Sequence, residues 1–468
     1  MSNSYDVIVV GAGPAGIFAA LELSRLWKGA GILMLEKGPE LSRRHCPMRT
    51  QGSRCLGCTP CMTLSGWGGA GAFSDGKLAL SPRVGGFLGE YVGEAEAMRL
   101  IRDVHDIYLH FGAPDRLFGT DDGRIRDLAR RAATVGLDLV HAPIRHLGTE
   151  NCPRVLRAMR EELDGRVEIR TCTPVEELLV EDGAVVGVRT ADTEYRARYV
   201  VAAPGRNGSE WFTNQARRLG LELENNPVDV GVRVEVPALL LDHLTDVVYE
   251  PKLLYHSRSF DDLVRTFCVC PRGEVVLENN SGVITVNGHS YADRPTENTN
   301  FAVLVSKTFT EPFKEPIAYG KYVASLANML GGKVIVQRLG DLTQGRRSTE
   351  ERLAKSMVRP TLAEATPGDL SLVLPYRHLI NILEMLEALG ELAPGVNSRS
   401  TLLYGVEAKF YSSRVKVTPS LETQVHNLFV AGDGAGITRG LAQASASGLH
   451  VAREIMRREG ILRGKGGG

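Results

Sequence analysis

The sequence predicts an α/β chain: a parallel-sheet domain that carries a small β-meander and is interrupted by an inserted α+β domain. Three observations predict it. Residues 5–16 run from a β-branched strand straight into a glycine turn, residues 427–457 repeat that order at the far end, and residues 226–400 show neither pattern.

At the N-terminal end, Tyr5-Asp6-Val7-Ile8-Val9-Val10 is a short apolar run of the kind that forms a buried parallel strand. Gly11-Ala12-Gly13-Pro14-Ala15-Gly16 follows at once, then a helical pattern over 17–27 and a second strand, Ile32-Leu33-Met34-Leu35, ending at Glu36-Lys37. Gly11 permits the tight turn, Gly13 lets backbone approach a pyrophosphate, and Gly16 permits close helix–strand packing. The helix N-terminus attracts phosphate. Glu36, 20 residues beyond Gly16, offers an acceptor to ribose hydroxyls and repels a 2′-phosphate. A lone G-x-G-x-x-G is a weak signal; strand, glycines, helix, strand and acid in this order form a strong one. The expected dinucleotide contacts are Gly11, Gly13, Pro14, Ala15, Gly16, Glu36 and Lys37.

At the C-terminal end, Asn427-Leu428-Phe429-Val430-Ala431 runs into Gly432-Asp433-Gly434-Ala435-Gly436, and a small-residue helix extends from Gly440 to about Arg457. Between the two ends lie a strand over 167–172, two more (Leu178–Val180 and Val185–Arg189) joined at Gly183, and a return strand, Tyr199–Ala202, ending in Ala203-Pro204-Gly205. This set resembles the FAD-binding parts of glutathione-reductase-like flavoproteins. The resemblance implies that Asp433, after Gly432, holds the ribityl chain. It implies that the Leu441 and Ala442 amides face the isoalloxazine, that Ala203 and Gly205 form the returning turn, and that the chain near Pro174 and Val175 contacts adenine. Pro204 replaces the threonine usual in that turn.

The glycine run Gly66-Trp67-Gly68-Gly69-Ala70-Gly71-Ala72-Phe73 and the stretch Thr401–Tyr411 extend the likeness. With them, nearly the whole chain is similar to a family of bacterial FAD-dependent dehydrogenases of largely unassigned substrate. That similarity implies a Rossmann-like FAD-binding domain with a β-meander, but no particular reaction. The bare amides around Gly71 and Ala72 are expected against pyrophosphate or the flavin ring. The expected FAD-binding domain is discontinuous, 1–225 and 401–460, with a Cys-rich loop at 46–61 and a helical segment at 88–165. Residues 226–400 are the expected substrate or cap domain, with alternating strands from Val228 and helices near 320–331, 350–357 and 378–390, and 461–468 read as a tail.

Half of the eight cysteines fall within sixteen residues: Cys46, Cys55, Cys58 and Cys61. The triplet Cys55, Cys58, Cys61 has the compact spacing of a loop that wraps a [4Fe-4S] cluster, with Cys46-Pro47 as a remote fourth ligand in reversed order. Zinc also accepts four thiolates, and a C-x-x-C redox couple is a third reading. Cys152 is expected to open a helix. Cys172 reads as a core residue on a strand, and Cys268 and Cys270 share one strand face and read as buried packing.

Catalytic candidates are few. Glu407, Lys409 and Tyr411 alternate on a strand, which puts them on one face; Glu407 and Lys409 are the expected catalytic pair. Arg346 and Arg347 would suit an anionic substrate, and His141, Arg145 and His146 read as a surface cluster. Lys+Arg and Asp+Glu both total 55, so charge gives no basis for a nucleic-acid partner. No apolar run reaches the length of a membrane span, and no secretory signal is visible; the expectation is a cytoplasmic protein. No second G-x-G-x-x-G unit is present, so NAD(P)H would act as a transient donor. The sequence thus predicts an FAD-dependent oxidoreductase that exchanges a hydride or electron pair with a small organic substrate. A cluster at the cysteines would relay electrons to a ferredoxin-like partner. The rival readings are an electron-transfer flavoprotein subunit and a C=C reductase of the geranylgeranyl-reductase-like type with a structural zinc.

Overall fold

The computed structural model describes residues 4–47, 58–280, 282–290, 295–309, 313, 315–410 and 412–462. The chain divides into two compact units. The first comprises Met1–Arg116, Arg145–Asn226 and Tyr411–Gly468; the second comprises Leu117–Ile144 and Pro227–Phe410.

The first unit is built on a parallel sheet. Its strands run in the order Glu168–Arg170, Ile32–Leu35, Ser4–Val10, Glu194–Ala202, with Leu428–Val430 also beside Glu194–Ala202. The central strands are apolar because both faces are covered: Val7, Ile8, Val9, Leu33, Met34, Val200 and Val201 have no solvent exposure. Strand Glu194–Ala202 serves two neighbours in turn. Its first residues pair antiparallel with Ala184–Thr190, which pairs with Val175–Glu181 to complete the meander; its last three pair parallel with Leu428–Val430. The first and last strands of the unit thus share one partner. Helix Pro14–Leu26 packs against helix Leu441–Arg458, where a Cβ on Gly448 would lie 2.0 Å from the Ala15 carbonyl oxygen.

The second unit holds a sheet of eight strands among the described residues. They are ordered Thr366–Pro367, Ile335–Arg338, Leu402–Lys409, Val228–Pro237, Asn298–Lys307, Leu263–Cys270, Lys252–His256 and Leu137–Val140. Helices Asp122–Thr134, Pro316–Gly331 and Tyr376–Leu392 cover its apolar face through Ile125, Leu128, Ala324, Ala327, Ile382 and Met385.

Two boundaries differ from the sequence expectation. Strand Leu402–Lys409 pairs with Val228–Pro237 and Ile335–Arg338, so the second unit runs to residue 410 rather than 400. Residues 117–144, expected in the helical part of the first domain, belong to the second unit, because Leu137–Val140 adds to its sheet beside Lys252–His256.

The strand Val228–Pro237 alternates as expected, but its polar side is not solvated. Asp229, Arg233 and Glu235 are all buried. Hairpin Glu274–Asn280/Val283–His289 packs over this region, and each polar group finds a partner. Asp229 binds Arg265 and the Ser306 hydroxyl, and Glu235 accepts from Asn298, Thr361 and Tyr404. Burial pushes the Glu235 carboxyl up, and those hydrogen bonds pull it back.

Candidate functional site

The first glycine turn is packed on one side and open on the other. A Cβ on Gly11 would lie 2.2 Å from the Ala203 carbonyl oxygen, and one on Gly16 would lie 2.0 Å from the Gly11 carbonyl oxygen. These two glycines serve internal packing. Gly13 differs: nothing lies within 4 Å of a Cβ built on it, and its φ of −82° suits any residue. Gly205 likewise faces open space.

The separate motifs converge on this turn. Gly68 N donates to the Ala12 carbonyl at 2.8 Å, and a Cβ on Gly69 would sit 3.0 Å from Gly13 Cα. Gly71 lies between Pro14 and Leu441, and Ala72 is buried in the same short turn, Gly69–Phe73. Gly432 approaches Ala15, and Gly434 approaches the Gly205 backbone. Two helices therefore start around one space, with Gly13 and Gly440 at their N-caps. Neither start has a side-chain cap or an acid in its first turn. Both leave unpaired N–H groups and the positive end of a helix dipole for an anion. A dinucleotide fits this arrangement: the open Cβ position of Gly13 is where a pyrophosphate would approach the backbone.

Glu36 lies at the end of its strand as expected, and its carboxylate is already engaged. Oε2 accepts from Ala12 N at 2.8 Å; Oε1 accepts from Gly38 N at 2.8 Å and Gly66 N at 2.9 Å. It clips the first glycine turn to the second glycine run, and of about four acceptor positions on a carboxylate one remains. Lys37 Nζ donates to the Asn207 carbonyl at 2.7 Å, and burial lowers its ammonium. Val175 opens its strand close to this acid, since Thr173 N donates to the Glu36 carbonyl at 2.9 Å. Asp433 accepts from the Thr438 hydroxyl at 2.7 Å and lies 3.4 Å from Arg206 Nε.

Sequence reasoning missed three residues here. Arg44 is buried, donates to the carbonyls of Met62 and Trp67, and stacks on Phe73, so it pins the returning loop to the glycine run. Burial lowers its guanidinium to about 10. Trp67, with no exposure, donates to the Leu156 carbonyl at 2.8 Å. Gln443 donates to the carbonyls of Pro82 and Val84 and accepts from Leu88 N, fastening segment 82–88 to the C-terminal helix. The Arg43-Arg44 pair after the acidic strand end was a usable signal, and Trp67 stood within the glycine run already singled out; Gln443 had none.

The expected four-cysteine metal centre is not shown among the described residues. Cys46, Cys58 and Cys61 are not in disulfides, and among the described residues no group of three or more His, Cys, Asp or Glu is arranged to hold a metal ion. Cys55 lies outside the described residues, as does Tyr411. Cys61 Sγ lies 3.1 Å from the Thr63 hydroxyl.

Glu407 and Lys409 stand in the second unit, within a buried charge cluster. Glu407 has no exposure, and both its oxygens lie 3.5 Å from Arg233 Nη1. Lys409 Nζ is 3.2 Å from Glu407 and 3.4 Å from Glu278. Burial alone would lower the Lys409 ammonium, but Glu278, Glu407 and Cys268 outweigh it and raise it. Glu407 and Lys409, the expected catalytic pair, are thus held by each other, by Arg233 and by Glu278. Other expectations change. Arg346 is held by Asp341 at 2.9 Å. Arg145, expected at the surface, is buried with Nη2 2.7 Å from His105. Cys172 is exposed, past the end of strand Glu168–Arg170 rather than in the core. Cys152 does open its helix, and burial pushes its thiol up to about 12.

Residues 227–410 match the family model described as FAD-dependent protein, C-terminal domain-like. The matched segment coincides with Pro227–Phe410 of the second unit. A curated protein of Clostridium beijerinckii, described as uncharacterized, is 26% identical; the match covers 96% of this chain and 80% of that protein. Among solved structures, the chain is similar to 3-ketosteroid-Δ4-(5α)-dehydrogenase of Rhodococcus jostii RHA1, with 15% identity, a TM-score of 0.45, and coverage of 97% of this chain and 96% of that one. It is also similar to pyridoxine 4-oxidase of Mesorbium loti, with 13% identity, a TM-score of 0.45, and coverage of 98% and 100%. L-proline dehydrogenase of P. horikoshii is 12% identical, with a TM-score of 0.41 and coverage of 99% and 96%. Likenesses at these scores carry no argument about the reaction.

Proposed function

We propose that this chain is an FAD-dependent oxidoreductase whose first unit holds one extended FAD. The observation that carries the reading is the convergence of Gly69, Gly71, Gly432 and the start of helix Leu441–Arg458 on the first glycine turn, whose Gly13 has an open Cβ side. The family match of residues 227–410 supports it from the other unit. When bound, FAD supplies the capacity to take or give a hydride or single electrons.

The protein's contribution is binding and orientation. The N–H groups after Gly13 would hold the pyrophosphate, with Pro14, Ala15, Gly71 and Ala72 closing around it. Glu36 would offer its last acceptor position to the ribose, while Lys37 and Val175 flank the adenosine end. Asp433 would accept from the ribityl chain. Ala203, Gly205 and the amides of Leu441 and Ala442 would border the flavin. The substrate is an organic molecule of unassigned identity. Electron relay through a cluster at Cys46, Cys55, Cys58 and Cys61 rests on spacing alone; iron and sulfide analysis of oxygen-protected protein tests it.

The direct test is Gly13→Val. The wild type is expected to be yellow and to release about one FAD per chain on heating. Because a Cβ at Gly13 meets no protein atom within 4 Å, the variant is expected to keep the wild-type circular dichroism and melting temperature without FAD and to bind FAD at least ~100-fold more weakly, as for a well-placed contact replaced by a clash. A colourless wild type that FAD fails to reconstitute, or a variant that keeps its flavin, overturns the reading.

A further inference from the structure

Cys268 and Cys270 close the strand Leu263–Cys270. In a regular strand, side chains two residues apart stand about 7 Å from each other. Here the register against Asn298–Lys307 shifts between Phe267 and Cys270, and Cys268 takes a φ of 47°. This conformation is uncommon for a residue with a Cβ. The irregularity folds the two side chains together, and their sulfurs come to 3.9 Å. That leaves about 2 Å to close for a disulfide, a distance within reach of side-chain rotation.

The surroundings suit thiol chemistry. Arg233 Nη2 lies 3.2 Å from Cys270 Sγ and donates to the Cys268 carbonyl at 2.7 Å. Arg233 and Cys270 have no exposure, whereas Cys268 is half-buried. A cation against the Cys270 sulfur favours its thiolate, the form that attacks a sulfenic acid on the neighbouring Cys268. Cys268 is the more exposed residue of the two, and the buried Cys270 sits next to a positive charge.

We propose that Cys268 and Cys270 form a peroxide-reactive dithiol that closes to a reversible disulfide. The Cys268 thiolate attacks one oxygen of hydrogen peroxide. The O–O bond breaks, Cys268 becomes a sulfenic acid, and the second oxygen leaves as water after taking a proton. The Cys270 thiolate then attacks the Cys268 sulfur; the S–S bond forms, the S–O bond breaks, and a second water leaves. Two thiols lose two electrons and two protons, and one peroxide takes up both to give two waters. A small thiol reverses the change. The inference does not depend on the flavin.

The test uses the full chain. Protein is exposed to hydrogen peroxide, alkylated, and digested with trypsin, which cuts after Arg265 and Arg272 and releases both cysteines on one peptide, Thr266–Arg272. The expected product is that peptide unalkylated and lighter by two hydrogen atoms, with both thiols restored by dithiothreitol. Cys270→Ser is expected to stop at a sulfenic acid on Cys268, trapped by dimedone; Cys268→Ser is expected to give no adduct at Cys270 under the same exposure. Two alkylated thiols in the wild type, a sulfinic acid without an internal disulfide, or a bond from either cysteine to a third one would overturn the proposal.

Discussion

Arg233 and Glu407 show how much one buried pair decides. Both side chains are fully buried, and Arg233 also binds Asn300 at 2.8 Å. Removing one charge strands the other in a low-dielectric interior, which costs about 3–5 kcal/mol. Glu407→Leu is therefore expected to lower stability by that amount in urea titrations. Adding Arg233→Met is expected to recover part of it: Lys409 keeps Glu278 at 3.4 Å, while Asn300 and the Cys268 carbonyl lose their donor. His378 makes the opposite case, a titratable group buried without a partner. Neither ring nitrogen has a hydrogen-bond partner among the described residues, and burial, reinforced by Lys307, lowers the imidazole from 6.5 to about 4. Between those values the unfolded chain binds a proton that the folded chain refuses. Stability is then full above pH 6.5 and falls as pH drops toward 4, by about 3 kcal/mol in all. His378→Leu is expected to flatten that part of a curve of melting temperature against pH; an unchanged slope would show that another group sets it.

At the scale of elements, helix starts divide into two kinds. Helix Asp122–Thr134 is capped by Asp121, whose carboxylate accepts from Gly123 N and Arg124 N. Asp121→Ala is expected to cost about 1 kcal/mol, read as a lower urea midpoint with unchanged slope. Helices Pro14–Leu26 and Leu441–Arg458 begin at glycines with no such cap. The contrast is a local one, because capping residues act within one turn of the chain. Strand Val228–Pro237 was readable only in part. Its alternation predicted a strand but said nothing of what lies over its polar face. What covers that face is the hairpin at 274–289 and Tyr404 and Thr361, which sit far away in the chain.

For the whole molecule, the second unit draws on two separated stretches, and this has a consequence for fragments. Residues 227–410 alone would leave strand Lys252–His256 without its neighbour Leu137–Val140 and remove Ile125, Leu128 and Ala132 from the core. An uncovered strand edge above an opened core promotes association. The fragment is expected to elute as aggregates, and a fusion of 117–144 to 227–410 as a monomer, by size exclusion with light scattering; equal behaviour of the two would place the unit's boundary elsewhere.

The sequence by itself determined the Rossmann-like sheet, its meander and both glycine turns. Their requirements are local: a φ that only glycine tolerates, a Cβ that would strike a carbonyl, an apolar strand buried on both faces. Tertiary structure alone decided that Glu36 is a clip with one acceptor position left, that Glu407 and Lys409 face Arg233 and each other, and that a shifted register brings Cys268 to Cys270. Each of these depends on which distant backbone or charge ends up alongside, and no pattern of neighbours along the chain encodes that.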